Sequence, residues 1–183
     1  SVSICIVDWK WKNVKRLFEE RGDWMEKKVI QYASRDAVQY AQRWALSRNR
    51  DYNDFTNGGG DCMNFVSQCL YAGGLPFKNN GFEWHGLRGG SSFSWRGVDS
   101  FLKLLKNYQQ FGSPRLEFSC EETPESLKAG DLVFTVAEGI PGDIERNPSH
   151  VVILSHDYAD KGQLVVCGHT VDQLDAVKRR DDT

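Results

Sequence analysis

The stretch Asp61-Cys62-Met63-Asn64-Phe65-Val66-Ser67-Gln68-Cys69-Leu70, entered through Gly58-Gly59-Gly60, decides how this chain folds. Asp61 has the side chain of a helix N-cap, and Phe65, Val66, Cys69 and Leu70 recur at helical spacing to give one apolar face. The spacing predicts a helix with Cys62 in its first turn. A thiol there lies at the positive end of the helix, a setting that favours thiolate over thiol. Gly73-Gly74 ends the helix, and Pro76 discourages continuation.

Upstream, Tyr32 to Arg50 reads as a second helix. Ala33, Ala37, Tyr40, Ala41 and Trp44 share a side, and the alanines allow a neighbour to approach closely. Residues 9–27 read as a charged amphipathic helix, with Val14, Leu17 and Phe18 on one side. Residues 1–31 are therefore expected to be an N-terminal helical extension or linker, and residues 32–183 the body of the domain. Downstream, Phe77 to Arg96 is a long irregular loop holding Trp84, His85 and Trp95 among Gly and Ser, and loops of this length often carry function. Phe101, Leu102 and Leu105 place a helix over Val98 to Tyr108.

The period then changes. Leu116 to Ser119, Leu132 to Val136, Val151 to Leu154 and Leu164 to Cys167 read as strands, with Gly130-Asp131 leading into the second of them. Helices first and strands afterwards predict an α+β domain whose helices pack on an antiparallel sheet.

Composition narrows the function classes. The 183 residues suit one domain, and 40% hydrophobic with 26% charged residues is ordinary for a soluble globular protein. The net charge of -2, with no basic stripe, argues against nucleic acid as partner. The run Lys178-Arg179-Arg180 is balanced by Asp181-Asp182 and reads as a solvated tail. No stretch reaches the roughly 18 apolar residues needed to span a bilayer. Ser1 to Val7 is apolar but too short for a secretory signal, and Asp8 and Lys10 interrupt it. The five cysteines are odd in number and include no C-x-x-C pair, so neither a disulfide scaffold nor a zinc knuckle is expected. Cys69, Cys120 and Cys167 sit among apolar neighbours as small core residues.

An activated thiol needs a base. His150 immediately precedes the Val151 to Leu154 strand, and Asp157 to Gly162 is a chain reversal leading into Leu164 to Cys167. If the reversal centres near Ala159 and Asp160, facing residue numbers sum to about 319. Position 150 then faces position 169, which is also histidine, although one slip of register would exchange facing for flanking. Cys62, His150 and His169 together would supply the three roles of a Cys-His-X site. Cys62 attacks a carbonyl carbon, His150 holds the thiolate and protonates the leaving amine, and His169 fixes the ring of His150. The backbone N–H of Cys62 is a natural oxyanion donor.

Around this set, Asp61 caps the helix and could also touch substrate. Tyr52 could bring its hydroxyl over the site, and Trp84 and Trp95 could line a peptide or glycan groove rather than the core. Asn64 and Ser67 lie on the helix flank, where they could anchor the adjacent loop. His85 and His156 read as loop residues. A zinc set of Cys62, His150 and His169 is conceivable, but no acidic ligand or H-x-x-x-H element supports it, so no metal is expected.

Several segments resemble the bacterial putative amidase domain family: Tyr40-Ala41-x-x-Trp44, Asn49 to Tyr52, Gly60 to Gln68, Gly73-Gly74, Ser94-Trp95 and Ser149-His150-Val151. That family lies within the papain-like group containing the NlpC/P60 and CHAP peptidoglycan hydrolases. Gly130-Asp131-Leu132-Val133-Phe134 is similar to a strand entry common in the wider group, and the resemblance covers roughly Tyr32 to Asp175. It implies a papain-like (NlpC/P60-like) α+β core with Cys62 as nucleophile and His150 as general base. His169, within Gly168-His169-Thr170, matches the third polar residue and stands nearer the NlpC/P60 pattern than the CHAP one. It also implies a cysteine amidase or peptidase acting on cell-wall peptidoglycan peptide, without a cofactor, outside the cell or at the wall. Two rivals stand beside it: a cell-wall binding module without turnover, and a thiol acyltransferase or deamidase acting on another amide.

Overall fold

A computed structural model of the chain describes residues 3–7, 32–75, 83–110, 124–136 and 148–178. At its centre is helix α2 (Cys62–Ala72), in which every residue from Cys62 to Leu70 is buried. The sequence predicts one apolar face, yet the polar flank is enclosed as well. α1 (Ser34–Trp44) covers one side, the sheet another, and the loop carrying Trp84 and Trp95 a third. α1 lies close because its contact face is made of Ala37 and Ala41, both fully buried. Gly73 ends α2 where a Cβ would run into the Tyr32 ring, and its carbonyl accepts the Ala33 N–H at 2.8 Å.

The sheet is antiparallel throughout, in the order β1-β4-β5-β6-β7. Its strands are β1 (Ser3–Val7), β4 (Leu132–Val136), β5 (Pro148–Leu154), β6 (Leu164–Gly168) and β7 (Gln173–Lys178). Strand alternation divides the apolar residues into two cores. Leu132, Phe134, Val151, Ile153 and Cys167 meet the helices. Val133, Val152, Leu154, Leu164 and Val166 pack on the opposite face with Leu127 and Tyr158. An α+β fold with helices on an antiparallel sheet is therefore the architecture of this chain.

Segment 1–31, expected as a helical extension or linker, contributes β1 to the edge of the sheet, with Cys5 opposite Phe134. Ser3-Ile4-Cys5-Ile6-Val7 is rich in β-branched residues, which suit a pleated surface. β7 was not expected: the run read as a solvated tail begins at its last residue, Lys178, and the strand is half exposed. The helix expected over 9–27 and the strand over Leu116 to Ser119 lie outside the described residues, as does Cys120.

The described part of the long aromatic loop has short elements of its own. β2 (Gly86–Leu87) pairs with β3 (Gly90–Ser91), followed by α3 (Phe93–Arg96) and then α4 (Val98–Gln110), the helix predicted from Phe101, Leu102 and Leu105. No helix of the described residues is long and apolar enough to cross a membrane.

Candidate active site

Cys62 is the first residue of α2 and is 7% exposed, whereas Cys69 and Cys167 are fully enclosed. All three are free thiols. Burial pushes the Cys69 thiol well up, reinforced by nearby Cys167, and burial likewise pushes Cys167 up to about 11. Both are core groups, and of these three thiols Cys62 is the one not fully enclosed.

Asp61 does not cap the helix through its side chain. Its carboxylate has 0% exposure and turns away to collect donors from four segments. Oδ1 accepts the Phe55 N–H at 3.1 Å and the Asn64 amide at 2.7 Å. Oδ2 lies 2.7 Å from His169 Nδ1 and 3.2 Å from Arg48 Nε. Charge-assisted partners outcompete a cap bond to the helix's own N–H groups. Among the described residues no side chain accepts from the first-turn N–H groups of α2, as an anion-accepting helix start requires. With both oxygens occupied, the carboxylate anchors the site and offers substrate no surface.

His169 is 1% exposed and held on three sides. Nδ1 meets Asp61, Nε2 lies 2.9 Å from the Trp44 carbonyl oxygen, and the ring stacks on Phe65 with centroids 3.9 Å apart. Arg48 closes the arrangement. Its guanidinium donates to both Asp172 oxygens at 3.1 and 2.8 Å and lies 3.3 Å from His169 Nε2. The β6–β7 turn completes the link, because the Thr170 hydroxyl accepts the Asp61 N–H at 3.1 Å. Gly60, with φ of 114°, lets the chain pass there: a Cβ would lie 3.2 Å from that hydroxyl.

The hairpin register corrects the predicted pairing of the histidines. Ile153 faces Cys167 and Leu154 faces Val166, so facing numbers sum to 320. The reversal contains a helical turn, α5 (Tyr158–Lys161), closed by Gly162 in the left-handed region, and this sets the offset. One residue of slip puts the two histidines on different faces. His169 lies with the helix-side core against Phe65, while His150 alternates with Val152 and Leu154 of the other core. His150 is half-buried; desolvation, with Lys178 second, lowers its pKa from the ordinary histidine value. Among the described residues no hydrogen bond joins Cys62 to either histidine.

Trp84 and Trp95, considered for a groove, are core residues, 4% and 0% exposed. Each indole N–H has an acceptor on α2: Trp84 donates to Ser67 Oγ at 3.2 Å and Trp95 to Asn64 Oδ1 at 2.9 Å. Asn64 also donates to the Asn53 carbonyl, and Ser67 to the Trp95 carbonyl, so both anchor loops as their helix-flank positions suggested. Gln68 accepts from the Tyr40 hydroxyl at 2.8 Å. Tyr52 stacks on Trp95 at 5.8 Å, and burial raises its hydroxyl to about 12. Sequence reasoning missed Arg48 and Asp172; their signal was one of two arginines after α1 and an acid three residues after His169, too sparse to pair without coordinates.

Among the described residues no group of three histidine, cysteine or acidic side chains could hold a metal ion. A surface cavity of about 530 Å³, lined by Arg35, Gln39, Gln42, Lys128, Ser155 and Asp157 among others, includes neither Cys62 nor His150 or His169.

The family model described as "Putative amidase domain" matches residues 31–181 of this chain. The chain belongs to the putative amidase domain family. It is 31% identical over 140 residues to the uncharacterized protein YhbB of Bacillus subtilis (strain 168), covering 75% of this chain and 40% of that protein. It is also 40% identical over 53 residues to the uncharacterized protein YjcM of the same organism, covering 29% of this chain and 12% of YjcM. The chain thus spans well under half the length of these curated relatives. No solved structure matches it.

Proposed function

We propose that this amidase-family domain hydrolyses an amide or peptide bond through Cys62, with peptidoglycan peptide as the substrate class. The observation that carries the reading is the place of Cys62: first residue of an enclosed helix, with no side-chain cap from Asp61, and less enclosed than Cys69 and Cys167. The thiolate attacks the carbonyl carbon, and first-turn N–H groups of α2 receive the oxyanion. The C–N bond breaks as the amine takes a proton from His150. Water then attacks the thioester, releasing the acid and regenerating the thiol.

Asp61, His169 and Arg48 hold the start of α2 in place. Both nitrogens of His169 are engaged by Asp61 and the Trp44 carbonyl, which leaves His150 as the proton carrier. Its approach has a structural means. The β4–β5 ladder pairs Thr135 with His150 and Val136 with Pro148, so Ser149 is a bulge directly beside His150. Moving that bulge one residue inward would turn the imidazole to the helix side while Val151 to Leu154 keep their register.

One observation favours a second reading. His150 rests on the face away from α2, as expected of a wall-binding module without turnover. The deciding experiment incubates the protein, C62A and H150A with defined muropeptides and identifies products by mass. Cleavage lost in both variants supports the hydrolase. Peptide binding by the unaltered protein without any product establishes the binding module.

A further inference from the structure

Beside α2 an exposed guanidinium lies near two aromatic rings. The Arg96 guanidinium carbon lies 4.6 Å from the Phe93 ring centroid and 5.4 Å from that of Phe55. Phe93 is 73% exposed, and Arg96 is exposed as well. Among the described residues no carboxylate pairs with Arg96. The nearest acid in sequence to Phe55, Asp54, accepts instead from Thr56 and faces Arg48. The exposed Phe93 ring has no packing role in a core.

Both sides of this stack are tied to the helix start that carries Cys62. The Phe55 N–H donates to Asp61, the residue before the thiol. Trp95, the neighbour of Arg96, donates its indole N–H to Asn64, two residues after the thiol, and its carbonyl accepts from Ser67. The stack is therefore fixed to buried anchors rather than carried on a free loop. Arg96 is exposed and none of the described carboxylates pairs with it, so its planar N–H fork is open to a carboxylate, which it can take through two parallel bonds.

We propose that Phe55, Phe93 and Arg96 form a subsite that binds a carboxylate on the substrate peptide next to the bond presented to Cys62. The arginine edge takes the carboxylate, and the Phe93 ring covers the adjoining hydrocarbon. The proposal rests on the assignment of Cys62 for its place on the molecule, and its chemistry is that of an acidic peptide.

Two stem peptides identical except for a free carboxylate or a primary amide at one glutamyl residue test it. Calorimetric titration into C62A is expected to show the acid binding about tenfold tighter than the amide at low salt, an advantage that added salt erodes. R96Q in the C62A background brings the two affinities together, and F93A weakens both peptides a few-fold. An acid-to-amide ratio unchanged by R96Q overturns the subsite, as does failure of both peptides to bind C62A. The two readings separate cleanly. Arg96-dependent preference in C62A, with no cleavage by the unaltered protein, leaves the subsite standing and removes the hydrolase. Cleavage of both peptides with equal KM, indifferent to R96Q, does the reverse.

Discussion

His169 Nδ1 and Asp61 Oδ2 stand 2.7 Å apart in a site closed to water, joining residues 108 positions apart in the chain. The pair fixes the turn after β6 to the start of α2, and the Arg48 guanidinium reaches the same carboxylate oxygen at 3.2 Å. Replacing Asp61 with alanine strips partners from His169, Arg48, Asn64 and the Phe55 N–H together. The expected loss is about 3–5 kcal/mol, the range for breaking a buried pair. Urea unfolding of D61A against the unaltered protein measures it. D61N, which keeps the shape and one acceptor oxygen, should lose distinctly less.

Thiol accessibility gives a second expectation. Iodoacetamide at neutral pH should label Cys62 at least tenfold faster than Cys69 or Cys167, whose burial both hides the sulfur and disfavours its thiolate. Peptide mapping after short exposure reads the order. Equal and slow labelling of Cys62 and Cys69 would remove the case for an accessible nucleophile.

His150 carries a pH signature. Its folded-state pKa lies below the ordinary histidine value of about 6.5 because desolvation, then Lys178, disfavours the charged ring. Between the folded and unfolded values the unfolded chain binds more protons, so its contribution falls as pH drops below 6.5 and levels off beneath the folded value. Proton NMR of the imidazole should give a midpoint under 6.5. H150Q should unfold with a weaker dependence on pH between 7 and 5. A midpoint above 6.5 would mean that the ring lies near an anion instead.

Trp95 supplies a test of the anchored loop. Phenylalanine there keeps most of the packing but removes the N–H that Asn64 Oδ1 accepts. The expected cost is about 1–3 kcal/mol, from a smaller side chain and a buried acceptor left with one donor fewer. A chemical denaturation midpoint indistinguishable from that of the unaltered protein would show that the indole bond carries no weight.

The elements that defined themselves by period were legible before any coordinates. α2, the helix over Val98 and the apolar strands β4, β5 and β6 each stood out through repeated Leu, Ile, Val and Phe. β7 was lost because Gln173-Leu174-Asp175-Ala176-Val177-Lys178 leaves Leu174 and Val177 42% and 48% exposed, so its alternation marks no buried face. The pairing of His150 failed by a single residue. Whether Asp157 to Gly162 makes a tight turn or one helical turn depends on Gly162 adopting a φ of 62°, and composition alone does not reveal that. The two tryptophans could be read as groove or core residues because their indole acceptors, Asn64 and Ser67, belong to another element. Local pattern reports what a residue is; its partner across the fold decides what it does.

The polar letters of the α2 signature are mostly mortar. Asp61, Asn64, Ser67 and Gln68 each grip a neighbouring stretch of chain from inside the protein, and none needs a reaction in order to be retained. A descendant that exchanged its sulfur for a methyl group and abandoned turnover would still have to keep those letters in order to stand. Counting them in a genome therefore tallies buildings; under the proposed function the workshops among them would be told apart by the thiol and by which way the imidazole beside the Ser149 bulge is turned.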